Sequence, residues 1–549
     1  MVLINILGLN TSSIDIGCSL ITNNTINLAI EEERLSRIKH HKGFLFGGGA
    51  PELSMSKCIK EINDKLENVA FGWDINFFNS LKLSYGSLYG IITSLISKKL
   101  LKESKGIASK RIFSYIKYNN FIKKIKKSSK NVYFIPHHLA HSASAYRVSG
   151  YKKCNILVLD ASGEKSSISL YIGEKGNLQL FKDFPLTSSL GNLYRSVTRL
   201  IGMGYYGEGN TMGLAPYGRV EKRFELIQLN KGNFKIDYLK LMKIALLLNK
   251  KNNPELKRNI AATLQAKLEE TALMLAEQLY EQTGYKNLCL AGGVALNCKM
   301  NSALLNSDFV KNIYIPSAPH DAGTALGAAL EVAFQQGYKF KRLEHAYLGQ
   351  KYSKKEVEIE LKKNNIKFEY YKDIEGIAAE LISKGYVIGW FQGRMEFGPR
   401  ALGNRSILAD PTNPKIADKV NDIKHREKWR PLAPSILEEK MKKYFENPYP
   451  SPFMSLTFQI KKEKQKEIPS VTHVDGSARV QTVNRKTNPK FFKLIKEFEK
   501  IGGTPVVLNT SFNDKGQPIV MTPKDAIESF KRMNLDKLII GNYLIDKNG

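Results

Sequence analysis

Three of the nine histidines, His137, His138 and His141, fall within five residues in the segment VYFIPHHLAHSASAYRVSG. The segment predicts a strand, Pro136 and then a helix. On a helix His137 and His141 stand four residues apart, which puts both imidazoles on one face at a spacing able to hold a single cation. Two turns add carboxylates: Asp160 after the apolar run NILVL, and Asp321 in the loop PHDAG. Two imidazoles and two carboxylates suit a borderline divalent ion such as Fe(II), Mn(II) or Zn(II), with positions left for a phosphate or substrate. A packing or surface histidine cluster is the plain alternative.

A second constellation is built from arginine. GYVIGWFQGRMEFGPRALGNRSILADP predicts a strand running into a loop that carries Gly393, Arg394, Glu396, Gly398, Arg400, Gly403 and Arg405. Glycine removes steric walls and Arg presents forked donors, so such a loop can approach phosphate oxygens. NDIKHREKWRPLAPSIL adds Lys424, His425, Arg426 and Arg430, and VDGSARVQTVNR adds Arg479. Only 18 of the 83 basic residues are arginine, yet seven of them lie between 394 and 485, which points to guanidinium geometry rather than charge alone. Salt bridges to Glu396, Asp410 and Asp422 are the competing explanation. The segment GGTPVVLNTSFNDKGQPIV ends a buried strand in Asn509, Thr510, Ser511, Phe512 and Asn513, hydroxyls and amides suited to a small planar amide or a nucleotide.

The elements that must position these groups show a duplication. Residues 3–33 predict strand, turn with Asp15, strand, tight turn, strand, and residues 155–184 repeat that order with Asp160 and Gly163 in the first turn. A duplicated β-meander with polar first turns is the pattern of the actin/Hsp70/sugar-kinase ATPase core, in which the two turns grip phosphates. Two unrelated meanders would look the same. Two strand-to-helix turns, one with Gly292-Gly293 and one with Gly323, can bring backbone N–H groups to a ribose or phosphate at a helix N-terminus. The charged stretch 345–375 predicts a domain boundary near 345–350. The expected organisation is α/β: an actin-like first domain over 1–345 and a second α/β domain over 350–549.

Composition sets the outer limits. With 549 residues, 42% hydrophobic and 10% aromatic, the chain has the makings of two to four domains and is not globally disordered. No run approaches the apolar length of a membrane span, and the start MVLINILGLN lacks a signal-peptide pattern, so a cytoplasmic enzyme is expected. Five dispersed cysteines without a CxxC indicate neither a disulfide framework nor a zinc knuckle. The formal charge of +31 raises nucleic acid as a partner, but the excess is diffuse lysine. One denser stretch, 81–130, holds 13 Lys/Arg against a single acid. It reads as a solvated helical face, with a peripheral contact to an anionic partner or membrane surface as the alternative.

HHLAHSASAY, LAGGVALNCKMN, APHDAGTALGAA, FGPRALGNRSILADP, KWRPLAPS, ARVQTV and LNTSFNDKGQPIV, in this order, closely resemble the NodU/CmcH/TobZ-type O-carbamoyltransferases. The resemblance runs from about residue 3 to about 535. It implies a TsaD-like first domain and a YrdC-like second domain. The second would form carbamoyl-adenylate from carbamoyl phosphate and ATP with Mg²⁺, and the first would transfer the carbamoyl group to a hydroxyl beside an Fe(II)-type metal. Carried over by motif, His137, His141, Asp160 and Asp321 are metal ligands. Asp15, Gly292, Gly293, Asn297, Gly323, Asn509 and Asn513 are cofactor-binding, and Arg400, Lys424, Arg430, Arg479 and Ser511 hold the phosphates for catalysis.

Two positions depart from the family pattern: Ile14 stands where a histidine usually precedes Asp15, and Asn210 replaces a lysine before MGLAPYG. The implied partner is a small-molecule or saccharide hydroxyl acceptor and not a nucleic acid, and a homodimer is the default for an enzyme of this size. A tRNA threonylcarbamoyl-type enzyme and a nucleotide-binding protein that has lost transfer are the rival readings.

Overall fold

The computed structural model describes residues 4–62, 66–73, 107–250, 253–502 and 504–547. The chain divides into two compact units, Met1–Glu32 with His40–Leu343, and Glu33–Lys39 with Glu344–Gly549. The start of the basic segment, 81–106, lies outside the described residues. From Ile107 to Ser128 it is a helix. Tyr118, Ile122 and Ile125 are buried at helical spacing and Lys123, Lys124, Lys126 and Lys127 are exposed, the form of a solvated amphipathic face. Among the described residues no helix is long and apolar enough to cross a membrane.

The first unit is built on two five-stranded sheets of the same topology. In one, Thr25–Glu31, Gly17–Thr22 and Asn5–Asn10 form an antiparallel meander, continued by Asn68–Phe71 and Asn131–Phe134 parallel to the last of them. In the other, Asn177–Pro185, Ser166–Glu174 and Lys153–Leu159 form the meander, and Asn287–Ala291 and Asn312–Tyr314 continue it in parallel. The repeated order is the duplicated core of the actin-like ATPases. Both central strands, NILGLN and KCNILVL, are buried almost throughout, as strands covered on both faces are.

One helix fixes the geometry between the meanders. Ala322–Gln335, with the sequence AGTALGAALEVAFQ, packs on the first sheet and on the helix His137–Tyr146. Its small residues allow close approach: a methyl group at Gly327 would come within 1.9 Å of the Ala140 carbonyl oxygen. The start of this helix, where Asp321 sits, is thereby held against the histidine helix.

The second unit centres on a nine-stranded mixed sheet in the order Glu369–Tyr370, Tyr543–Asp546, Lys537–Ile540, Ile388–Phe391, Arg405–Ala409, Val506–Ser511, Ala433–Leu437, Ser477–Val483, Leu456–Gln459. The helices Ile374–Ser383 and Pro489–Gly502 pack on each other and over a core of Trp390, Leu408, Phe491, Ile495, Phe498 and Val507. Ser406 pairs with Ser511, so the arginine loop that precedes Arg405 and the Asn/Ser loop that follows Ser511 leave the same end of the sheet. Residues 33–39 strap onto this unit: Arg34 donates to the Gly398 carbonyl at 2.8 Å, and Arg37 to Ile519 at 2.7 Å and Pro518 at 2.9 Å.

Candidate functional site

In the first unit, His137, His141, Asp160 and Asp321 each turn a ligand atom into one small volume, all four within 4.8 Å of one another. The two imidazole Nε2 atoms are 3.2 Å apart. His137 Nε2 lies 3.4 Å from Asp160 and 3.6 Å from Asp321, and His141 Nε2 lies 4.0 Å and 3.6 Å from the same carboxylates. Both histidines are fully buried. His137 Nδ1 donates to the Gly72 carbonyl at 3.1 Å, which turns Nε2 toward the other three residues, as behind a metal-bound imidazole. Its ring also rests against Trp73, 3.9 Å between centroids.

The sequence around each of the four residues explains its placement. Pro136 begins the helix, and the Glu164 carboxylate accepts the His137 backbone N–H at 2.9 Å, supplying a negative group at the helix N-terminus. Asp160 ends the buried strand Lys153–Leu159; one of its oxygens accepts the Gly293 N–H at 3.0 Å and the other faces His137. Gly292 is required where it stands, at φ +88° with a would-be methyl 2.1 Å from the Leu159 carbonyl oxygen. Asp321 starts its helix without using its carboxylate as a cap, which leaves that group to the histidines.

The electrostatics fit a cation. Burial pulls the His137 pKa down, but Asp160 and Asp321 outweigh it and push the value up to about 10. Burial raises the Asp321 carboxyl and the two histidines more than reverse it, to well below the usual carboxylate range. The donor set of two nitrogens and two oxygens matches a divalent ion. His138 is not part of the set: its Nδ1 meets Ser169 Oγ at 2.7 Å, and burial and the charge on His137 lower its pKa to about 3.

The second unit gathers cations. Lys424 is 1% exposed, and its Nζ donates to the Ser511 carbonyl, to the Asn513 carbonyl at 2.8 Å and to Asn513 Oδ1 at 3.2 Å. Burial, then the charges of Arg426, Lys39 and Arg430, hold its pKa well below the usual lysine value. Burial with Arg430 and Arg479 lowers Arg426 to about 9. Groups of one sign that depress one another in this way form a field that an anion relieves. Arg479 lies two residues from Gln481 on the same strand and hence on the same face. Gln481 donates to the Leu402 carbonyl in the arginine loop at 2.8 Å and accepts from Asn509 at 2.9 Å. Asn509 spends its amide hydrogens on Ser435, Gln481 and Ala401, while its Oδ1 is buried with no hydrogen-bond partner.

Residues 5–330 match the family model described as the carbamoyltransferase N-terminus, and residues 379–547 match the carbamoyltransferase C-terminus. The chain belongs to the carbamoyltransferase family. This carbamoyltransferase is 36% identical to nodulation protein NolNO of Sinorhizobium fredii, over 98% of this chain and 80% of that protein. It is 39% identical to nodulation protein NolO of Bradyrhizobium diazoefficiens, over 75% of this chain and 78% of the relative. Among solved structures, full-length HypF in its phosphate- and nucleotide-bound form aligns at 14% identity and a TM-score of 0.36, covering 60% of this chain and 55% of that one.

Several residues singled out by motif make hydrogen bonds within the fold of the carbamoyltransferase. Arg394 donates to the Gly349 and Leu348 carbonyls at 2.9 Å and 2.7 Å, and the fully buried Arg405 lies over the Phe391 ring and donates to Gln392 and Asn404 carbonyls. Glu396 closes the same loop by accepting three backbone N–H groups, those of Leu402, Asn404 and Arg405. Arg400 is half-buried in that loop. Asn297 caps the helix Cys298–Leu305 through the Met300 N–H and exchanges hydrogen bonds with Gln265. Gly323 sits in the first turn after His320, to whose carbonyl it donates at 2.8 Å.

Sequence reasoning singled out Asp15 in the first turn but passed over its partner His40. His40 Nδ1 meets Asp15 Oδ1 at 2.8 Å, and His320 Nε2 stands 3.9 Å from the other Asp15 oxygen and 3.6 Å from Glu31. The run EEERLSRIKHH, acids followed at once by bases and paired histidines, was the available signal.

Proposed function

We propose that this carbamoyltransferase is an ATP-dependent O-carbamoyltransferase working in two chemical stages. The observation that carries the first stage is the buried cation cluster of Lys424, Arg426 and Arg430 with Lys39, in which burial and then neighbouring like charges lower Lys424, Arg426 and Lys39, so that the group calls for a polyanion. Carbamate is a poor acyl donor until its leaving group is activated. In the second unit carbamoyl phosphate loses its phosphate to water, and the carbamate oxygen attacks the α-phosphorus of Mg²⁺-bound ATP, releasing pyrophosphate and leaving carbamoyl-adenylate. Arg400, Arg430, Arg479 and Lys424 hold phosphate oxygens and offset the charge that builds in the transition state. Ser511 and Asn513 orient Lys424, and the unpartnered Oδ1 of Asn509 offers an acceptor to the carbamoyl NH₂ group.

In the first unit His137, His141, Asp160 and Asp321 would hold Fe(II) or a similar divalent ion, which supplies Lewis-acid polarisation of the carbamoyl group. Trp73 and the Gly72 carbonyl fix the His137 ring, and Gly293 fixes Asp160, so the ligand set is organised before an ion binds. The acceptor is a hydroxyl of a small molecule or saccharide, and AMP leaves as the carbamate ester forms. Incubation with ATP, Mg²⁺ and carbamoyl phosphate tests the first stage: pyrophosphate and carbamoyl-AMP are expected, and their absence would defeat the proposal.

A further inference from the structure

A hydroxyl must lose its proton to become a nucleophile, and none of the four metal-ligating side chains is placed to take it, since each points its reactive atom at the common centre. From the geometry around Asp15 we infer that His40 is the general base that accepts the proton of the acceptor hydroxyl, with Asp15 as its positioning residue. The inference rests on the carbamoyl-transfer reading above.

Asp15 ends the first polar turn at φ +59° and His40 enters at φ +55°, both in the left-handed region that side chains other than glycine adopt at a cost. The bridge between Ile14 and Lys42 draws the two segments together. An ionised carboxylate can only accept, so at 2.8 Å it is His40 Nδ1–H that donates, and Nε2 becomes the proton-accepting nitrogen. The ring plane is set by Tyr206, stacked on it at 3.9 Å between centroids and 22° between planes. Tyr206 itself is held at φ +61°, a conformation a bulky residue rarely takes, and Gly202 and Gly204, both at positive φ, precede it. A carboxylate, a tautomer-fixed imidazole and an aromatic clamp are the parts of a positioned base.

The dyad adjoins the metal-ligating cluster. The amide nitrogen of Asn10, fully buried, donates to the Asp321 carbonyl at 2.9 Å and reaches the Asp15 carbonyl at 3.4 Å. His320, which faces the far Asp15 oxygen, is the residue before Asp321. His40 is half-buried, with 26% of its side chain exposed, so a substrate can reach its edge. In the step, the acceptor oxygen forms a bond to the carbamoyl carbon as its proton moves to His40 Nε2. The bond from that carbon to the adenylate oxygen breaks, AMP carries away the electron pair, and the proton later passes to water.

The test compares the metal-loaded wild-type enzyme with His40→Ala and Asp15→Asn under ATP, Mg²⁺ and carbamoyl phosphate. Glycerol serves as a hydroxyl acceptor, and hydroxylamine as a nucleophile that attacks without prior loss of a proton. His40→Ala should lose enzyme-dependent carbamoylation of glycerol about 100-fold or more while retaining hydroxyurea formation, pyrophosphate release and metal content. Added imidazole should restore part of the glycerol reaction. Asp15→Asn, which offers His40 a donor or an acceptor and no longer fixes the tautomer, should also lose glycerol carbamoylation, and added imidazole should restore part of it. Equal loss with both acceptors, or undiminished glycerol transfer in His40→Ala, overturns the role of His40 alone. A wild-type enzyme that carbamoylates hydroxylamine but neither glycerol nor water also overturns it, because the base would be idle. A wild-type enzyme that releases no pyrophosphate overturns the carbamoyl-adenylate reading and the base with it.

Discussion

Metal uptake by the His137/His141/Asp160/Asp321 cluster should expel a proton, and its strength should therefore climb with pH. In the metal-free protein the two carboxylates hold the His137 pKa at about 10, so at neutral pH that imidazole is protonated and cannot ligate. An ion must displace this proton. At pH 7 the group is about three pH units below its pKa, a handicap of roughly 4 kcal/mol to metal binding, and each further unit of pH up to about 10 removes a tenfold share of it. Asp160 and Asp321 are already ionised over this range, because the histidines hold both carboxyls below their usual pKa. Isothermal titration of the metal-stripped enzyme with Mn²⁺ at pH 6.5 and pH 8.5 should thus show an affinity gain of about 100-fold for one proton. Repeating the titration in buffers of different ionisation enthalpy should count close to one proton released. The same shift acts on folding: a pKa raised above the unfolded value gives stability that is complete below about pH 6.5 and lost as pH rises through about 10, so the metal-free protein should melt lower at pH 9 than at pH 7. A Mn²⁺ affinity that does not change with pH, or that falls as pH rises, would show that no proton has to leave His137 when an ion binds and would refute the reasoning.

Two substitutions separate the units. Arg400→Ala should abolish carbamoyl-adenylate formation and leave metal content unchanged, whereas His141→Ala should lose metal and transfer and keep adenylation; equal loss of both activities in both variants would refute the division of labour. Gly327→Ala puts a methyl within 1.9 Å of the Ala140 carbonyl oxygen, where only backbone movement can relieve it. It should cost about 1–3 kcal/mol in thermal or denaturant unfolding and weaken Mn²⁺ binding by separating Asp321 from the histidine helix. Loss of less than about 0.5 kcal/mol, the range of an ordinary surface change, would mean that this approach does not position the site.

The His137/His141/Asp160/Asp321 cluster was readable because its parts obey local rules. The spacing of His137 and His141 fixes a shared helical face, and Asp160 and Asp321 follow recognisable strand-to-turn and loop-to-helix signals. The duplicated meander was readable for the same reason, since both copies alternate strands and tight turns in one order. The direction of a side chain is not a local property, and there the reading fell short. Arg394 and Arg405 stand among glycines just as Arg400 does, yet their guanidiniums turn to backbone carbonyls, those of Leu348 and Gly349 and those of Gln392 and Asn404, while Glu396 accepts backbone N–H groups of the loop. Of the partners of Asn297, the Met300 N–H and Gln265, the second likewise comes from elsewhere in the fold and leaves no mark in its motif. The Asp15–His40 pair lies 25 residues apart in the chain and depends on the Ile14–Lys42 bridge and on three non-glycine residues at positive φ, none of which has a sequence period.

The central claim, that the second unit activates carbamate as an adenylate, is tested most directly by exchange of labelled pyrophosphate into ATP. The purified enzyme with Mg²⁺ should catalyse exchange only when carbamoyl phosphate is present, and Arg400→Ala should abolish it. Exchange that proceeds without carbamoyl phosphate, or no exchange from an enzyme that still binds ATP, would contradict the account.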